Sequence, residues 1–394
     1  MSVQDPVVIV AAKRTPMGSF LGCFKNVCAT ELGASAIEAA VSSSGVQIND
    51  IDEVIFGCVL SAGLGQAPAR QAALKAGLAQ HTSATTINKV CGSGIKAMMF
   101  AHDLISAGSV NITVAGGMES MSNAPYMLDN VRDGYRIGHN KITDHMMSDG
   151  LEDAYEKKSM GCFAQATADK NNLTRDAMDN FAINSLSKAI SAIESGAFDN
   201  EITPFMVENR QESTLITTDE APASIRKDKI SSLRPAFAKK GTITAANASS
   251  ISDGAAALVL MKQSTAEAKN LTPLCKIVAH ASYAQAPKDF TLAPIGAINT
   301  LLKKADWEVD DVELWEINEA FAMVTMLAID GLQLDVEKVN INGGACALGH
   351  PLGASGARIV TTLIHSLINR QLNKGIASLC IGGGEAVAIA IELS

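Results

Sequence analysis

The chain reads as an α/β fold made of two copies of one unit, with a further block inserted, and three observations predict it. Apolar, β-branched runs alternate with segments of helical spacing, the pattern of a parallel or mixed sheet covered by helices on both faces. The last third repeats the first in outline. Between them, residues 121–249 turn polar and rich in glycine and asparagine, which marks an excursion from the sheet rather than core.

Taken in order, residues 3–12 read as a first strand and TELGASAIEAAVSSSG as the helix after it. DIDEVIFGCVL supplies a second strand, and the stretch from Ala67 to Gly77 a helix. The run Thr82 to Val90 is a strand that enters Cys91, Gly92, Ser93 and Gly94, and GIKAMMFAHDLISAG then takes helical periodicity. NITVAGGMES closes the first copy as a buried strand. In the middle block, Asn172 to Ala197 is strongly helical with Thr174 as its N-cap, whereas RQESTLITTDEAPASIRKDKISS reads as loop. The second copy answers the first. LCKIVAHASY matches the opening strand, DVELWEINEAFA matches DIDEVIFGCVL, and GASGARIVTTLIHSLIN with ASLCIGGGEAVAIAIE matches the Cys91 helix and the strand behind it. The boundaries expected are 1–120 for the first half, completed by about 250–272, then 121–249 for the inserted block and 273–394 for the second half. Two such halves packed face to face bring equivalent strand ends together in a cleft.

Composition narrows the function. With 394 residues, 47% of them hydrophobic, the chain can bury a large core in two or three domains. Only 4% aromatic residues favour closely packed helices on sheets over an aromatic-rich β architecture. The net charge of −9 and the lack of a long basic run argue against nucleic acid and against an anionic membrane as partners. The eight cysteines are scattered without CxxC pairs or paired histidine spacing, which excludes the usual zinc patterns and points to free thiols in a reducing compartment. No leader-like h-region and no apolar run of about 18 residues is present, so a soluble cytoplasmic protein is expected.

The chemistry concentrates at four places. Cys91 lies in a strand–turn–helix step, NKVCGSGIKA, where the positive end of the helix dipole and free backbone N–H groups favour a thiolate. His350, between Gly349 and Pro351, is held away from helical conformation at a loop end. Cys380 ends an apolar strand and is followed by Gly382, Gly383 and Gly384, whose exposed N–H groups are the usual material of an oxyanion hole. Asn318 in NEAF is either a helix cap or a donor at a strand end, and Glu319 supports that turn. GxxxxGK, GxSxG and HExxH are all absent, so nucleotide, serine-hydrolase and metalloprotease chemistry lack their best signals.

Together, NKVCGSGIKA, NEAFA, NGGACALGHPLGASGAR and CIGGGEA resemble the nucleophile, asparagine, histidine and second-cysteine motifs of the thiolase family, in that family's order and over nearly the whole chain. The resemblance implies a duplicated five-layer αβαβα architecture with an inserted loop domain. It also implies an acetyl-CoA C-acetyltransferase: reversible Claisen condensation of two acetyl-CoA to acetoacetyl-CoA plus CoA through an acetyl-cysteine. In that scheme Cys91 is acylated with help from His350. Cys380 moves the α-proton, and Asn318 (through a water) and His350 hold the enolate oxygen. The N–H groups of Cys91 and Gly382 hold the tetrahedral oxyanion.

For coenzyme A the resemblance points to Ser249, Ser159, Met160 and Phe321, with Arg226, beside Lys227 and Lys229, for the phosphates. Ser159 stands where short-chain members usually have histidine, a change that bears on the CoA contact and on chain-length preference. Cys346 stands where alanine is more usual. No cofactor and no metal is expected, coenzyme A thioesters being substrates, and a homotetramer built from dimers is implied. The alternatives at this point are a broader 3-ketoacyl-CoA thiolase of fatty-acid degradation and a non-catalytic acyl-CoA-binding relative. A ketoacyl-synthase-type condensing enzyme would pair its cysteine with two histidines, where this chain has Cys380.

Overall fold

The computed structural model describes residues 5–208 and 213–394. One mixed sheet runs through it in the order Leu314–Ile317, Lys374–Ile381, Glu385–Leu393, Cys275–Ala284, Val7–Arg14, Ser252–Lys262, Ile112–Ser120, Glu53–Gly57 and Ser83–Ile87, with the short Gly18–Ser19 strand beside Ser252–Lys262. The two halves of this sheet meet along a narrow seam, where Val8 pairs with Lys276 and Ile9 with Cys275.

Three apolar clusters give the layers. Helices Ala29–Ser44 and Pro68–Lys75 pack on the outer face of the first half-sheet, through Leu32, Ile37 and Val41 among others. Helices Ala293–Ala305 and Ala322–Leu332 cover the second half-sheet around Trp315 and Ile298. Between the half-sheets lie Ser93–Ser106 and Leu352–Arg370, sharing one core with strands of both. The result is α, β, α, β, α. The residues from Leu352 to Leu367 are all buried, its polar members Ser355, Arg358, Thr361, Thr362, His365 and Ser366 included, so the helix is enclosed on every side. The two central helices cross at backbone distance: a Cβ on Gly94 would lie 2.4 Å from the Ala357 nitrogen, and one on Gly356 2.5 Å from the Ile95 nitrogen. Glycine is required at this crossing.

The duplication has a specific topology. Ile112–Ser120 and Ser252–Lys262 are antiparallel neighbours, as are Lys374–Ile381 and Glu385–Leu393. In the second half the two strands are joined by the glycine turn at Gly382, Gly383 and Gly384, the last two at φ 94° and 90°. In the first half the whole middle block takes the place of that turn. CIGGGEAVAIAIE is therefore a hairpin: the strand expected to end at Cys380 turns at the glycines into a second strand, Glu385–Leu393.

Inside the block, helix Arg175–Glu194 starts at Thr174, whose hydroxyl accepts from the Ala177 N–H at 3.2 Å. The segment expected to be loop contains the strand Ser213–Ile216, paired with Phe205–Glu208, whose alternation was hidden among turn-forming residues; the first three residues of that segment lie outside those described, as do residues 3 and 4 of the expected first strand. A second small pair, Tyr126–Leu128 with Ile142–Asp144, sits in the polar excursion. Among the described residues no helix is long and apolar enough to cross a membrane.

Candidate active site

Both central helices begin at one cavity of about 410 Å³. Cys91, just ahead of Ser93–Ser106, lines it, and so does His350, just ahead of Pro351 and Leu352–Arg370. Cys380 and Gly382, from the hairpin of the second half, line it as well. The middle block closes the other side with Met147, Leu151, Ser159, Met160, Phe237 and Ser249. Met147 and Leu151 belong to the π-helical turn Met146–Leu151, an irregularity often found at functional sites.

The turn carrying Cys91 is strained. Val90, a β-branched residue, has φ 46°, in the left-handed region that costs such a residue about 1–3 kcal/mol. Ser93 holds it, its hydroxyl accepting from the Lys89 N–H at 2.8 Å and donating to the Val90 carbonyl at 2.7 Å. Lys89 itself pairs with Glu385 across the two halves. The thiol is partly exposed, and the backbone N–H groups of Gly382 and of Cys91 itself point at its sulfur. Burial outweighs them and pushes the Cys91 thiol up to about 11. The favoured thiolate expected from the helix dipole is therefore corrected: the resting group is a thiol. Cys380 is held further above its ordinary value, first by burial and then by the neighbouring Cys91 charge. Neither sulfur titrates within reach of neutrality, because both stand in an apolar wall.

His350 is buried, and desolvation, with Arg358 adding to it, pushes its imidazole down to about 3, so it is neutral at physiological pH. Its tautomer follows from the neighbours. The Ser355 hydroxyl donates to the Pro351 carbonyl at 2.9 Å, so the 2.5 Å contact between Ser355 Oγ and His350 Nδ1 is a bond donated by Nδ1–H. Nε2 then carries the lone pair. The Asn318 amide nitrogen lies 3.5 Å from it, in keeping with that assignment. Replacing Ser355 by alanine is expected to lower kcat about 10- to 100-fold with KM changed less than about twofold, since the ring keeps its place and loses its tautomer. Steady-state kinetics check this, and an unchanged kcat would remove Ser355 from the account.

Asn318 stands behind His350 and does not line the cavity; its Oδ1 is buried with no hydrogen-bond partner. Glu319 accepts from Ser185, Asn340 and the Cys346 N–H at 2.7, 2.9 and 3.1 Å, which fixes the turn before the histidine loop. Cys346 packs against it, outside the cavity lining. Ser159 heads helix Met160–Lys170 without capping it, so its hydroxyl is not committed to that helix. The Ser249 hydroxyl donates to the Ala320 carbonyl at 3.0 Å. Phe321 forms edge-on pairs with Phe237 and Phe290 at centroid distances of 6.0 and 6.5 Å. Arg226 is not brought to the cavity. It is exposed and pairs with Asp228 at 3.1 Å, while Lys227 reaches Ser187.

Sequence reasoning missed the aromatic wall of Phe237 and Phe290, which only the closing of the block over the sheet brings to the cavity. It also passed over Glu119, whose signal was the acidic residue two places after the paired glycines of GGMES. From the first half, Glu119 accepts N–H groups of Val59, Leu60 and Gly353 at 3.0, 3.0 and 2.8 Å, tying the first turn of the His350 helix to the other half. Burial raises its carboxyl to about 7 against the pull of those donors. A raised carboxyl contributes stability that is fully present below its unfolded value and lost as pH rises through the folded one. The melting-temperature difference between the native protein and Glu119→Gln is therefore expected to shift against the native protein between about pH 5 and about pH 8. Thermal melts across that range check it, and a constant difference would refute it.

Comparison with known proteins agrees with this geometry. The family described as thiolase, N-terminal domain, matches residues 7–264, and that described as thiolase, C-terminal domain, residues 271–393. An acetyl-CoA acetyltransferase of Cupriavidus necator is 48% identical, over 98% of this chain and 99% of its own length, and one of Pseudomonas aeruginosa is 47% identical over 99% of each. The crystal structure of the Bacillus anthracis acetyl-CoA acetyltransferase superposes with a TM-score of 0.97 at 42% identity, covering 100% of both chains. A thiolase from Ascaris suum, solved in complex with coenzyme A, gives 0.94 at 41% identity, covering 99% of this chain and 100% of its own. With both family domains matched in order along almost its full length, the chain belongs to the thiolase family.

Proposed function

We infer that the chain is an acetyl-CoA C-acetyltransferase, condensing two acetyl-CoA to acetoacetyl-CoA and CoA and running the reverse thiolysis. The observation that carries this is the convergence of two thiols and a neutral imidazole on one cavity whose far wall is the inserted block. In the proposed course, His350 Nε2 takes the Cys91 proton as the sulfur attacks the thioester carbonyl. The oxyanion forms against the N–H groups of Cys91 and Gly382, and CoA leaves as its thiol. Cys380, its proton passed to His350 Nε2, then takes the α-proton of the second acetyl-CoA, with the new Nε2–H of His350 and Asn318, through a water, on the enolate oxygen; the carbanion attacks acetyl-Cys91, whose sulfur leaves with the His350 proton as acetoacetyl-CoA is released. Losing one oxyanion donor in such chemistry typically costs about 10²- to 10³-fold in rate.

Coenzyme A itself is assigned to the face of the middle block, with Ser159, Met160, Ser249 and Phe321 along the pantetheine. That four of these line the cavity supports the assignment. The reaction calls for no cofactor or metal. A cytoplasmic location fits the free thiols of the described residues. A homotetramer is supported by the exposed apolar side chains of the 126–142 excursion, Tyr126, Leu128, Ile137 and Ile142. The deciding test of substrate class is kcat/KM on acetoacetyl-CoA against a longer 3-ketoacyl-CoA: a preference of at least about tenfold for the short substrate is expected, and a large preference for the longer one would defeat the reading.

A further inference from the structure

Away from the cavity, the fold brings together three ligand-type side chains from the two halves. His102 and Asp103 lie on helix Ser93–Ser106, and His280 on strand Cys275–Ala284. His280 Nε2 stands 3.2 Å from His102 Nδ1 and 2.9 Å from Asp103 Oδ1, and His102 Nδ1 stands 3.1 Å from the same oxygen. The two rings meet edge-on, with centroids 4.9 Å apart at 83°. Two imidazole nitrogens and a carboxylate oxygen stand at the corners of such a triangle, and each nitrogen offers an inward lone pair when its ring takes the other tautomer. A single hydrogen on one nitrogen serves at most two of the three contacts well, whereas a cation serves all of them.

The dimensions fit a metal ion. At metal–ligand bonds of about 2.0–2.2 Å in tetrahedral geometry, neighbouring ligand atoms are about 3.3–3.6 Å apart, so each corner needs to retreat only a few tenths of an ångström. Asp103 is exposed, which leaves a way in and room for water as the fourth ligand. The nearby ammonium groups are engaged elsewhere: Lys304 donates to the His280 carbonyl at 3.1 Å, and Lys96 lies 4.5 Å over the Phe100 ring. Two imidazoles and one carboxylate suit zinc, nickel, cobalt or copper far better than calcium or magnesium.

We propose that His102, Asp103 and His280 form a divalent transition-metal site that pins the helix headed by Cys91 to the first strand of the second half. The site is structural, lying on the flank of the enzyme and taking no part in acetyl transfer.

The test uses the full chain with its accessible thiols alkylated, so that cysteines do not compete, and Co²⁺ or Zn²⁺ as the probe. One equivalent of Co²⁺ is expected to bind with a spectrum free of thiolate-to-metal charge transfer. Melting is expected to rise by about 3 °C at metal concentrations about 100 times Kd. His102→Gln and Asp103→Asn are each expected to weaken binding at least about tenfold while leaving metal-free activity of the unalkylated enzyme at the native level. His280→Gln is expected to do the same, and circular dichroism shows whether it folds. Binding that survives in His102→Gln and Asp103→Asn, binding lost on thiol alkylation, or no binding at millimolar metal overturns the proposal.

Discussion

Alanine at Cys91 is expected to stop acetyl transfer, lowering turnover at least about 10⁴-fold while the fold persists. The side chain is partly exposed to the cavity, so its removal leaves little void. Mass spectrometry after exposure to acetyl-CoA should find one acetyl group on the native chain and none on Cys91→Ala. Residual turnover within about tenfold of native would place the nucleophile elsewhere. The reactivity of the native thiol adds a second readout. With its ordinary value raised to about 11 by burial, Cys91 should react with iodoacetamide ever faster as pH rises, with no plateau below about pH 9. A plateau near neutrality would mean a preformed thiolate–imidazolium pair, which the neutral His350 does not support.

Alanine at Cys380 should separate the two halves of the reaction. Cys91, His350 and the Gly382 N–H remain, so acetyl-Cys91 forms and exchange of acetyl between acetyl-CoA and free CoA continues. The α-proton step loses its base, and condensation falls about 10²- to 10⁴-fold. Acetylated protein therefore accumulates when acetyl-CoA is the only substrate. The measurement is the ratio of the exchange rate to acetoacetyl-CoA formation in the native chain and in Cys380→Ala. Equal loss of both would assign Cys380 to acylation or to folding, and loss of neither would remove it from the mechanism. The side chain is buried in the apolar cluster of Phe321 and Met160, so a melting curve accompanies the kinetics.

Much of the architecture was legible because it is written in short windows. Alternation of apolar strands with amphipathic helices survives in any ten to fifteen residues, and the likeness between the first and last thirds exposes the duplication without a structure. Cys91, His350, Cys380 and Gly382 were legible for the same local reason. Each sits in a glycine- or proline-shaped turn whose chemistry is set by its immediate neighbours, and all four line one cavity. Thr174, a cap read from its own turn, belongs with them.

What the tertiary structure decided depends on residues far apart in the chain. Whether a thiol is acidic is a contest between backbone N–H groups, visible locally, and burial, which is not; for Cys91 and Cys380 burial wins. Glu119 is a clamp only because Gly353 packs against it from the other half. Arg226, the phosphate candidate of the sequence, is placed by its loop at the surface beside Asp228, away from the cavity lining. His102, Asp103 and His280 fall into no spacing pattern, since 178 residues separate the two histidines and only the seating of a first-half helix against a second-half strand brings them within 3.2 Å. Local turn and strand chemistry is determined by the amino-acid order itself; desolvation and long-range juxtaposition exist only once the layers have closed.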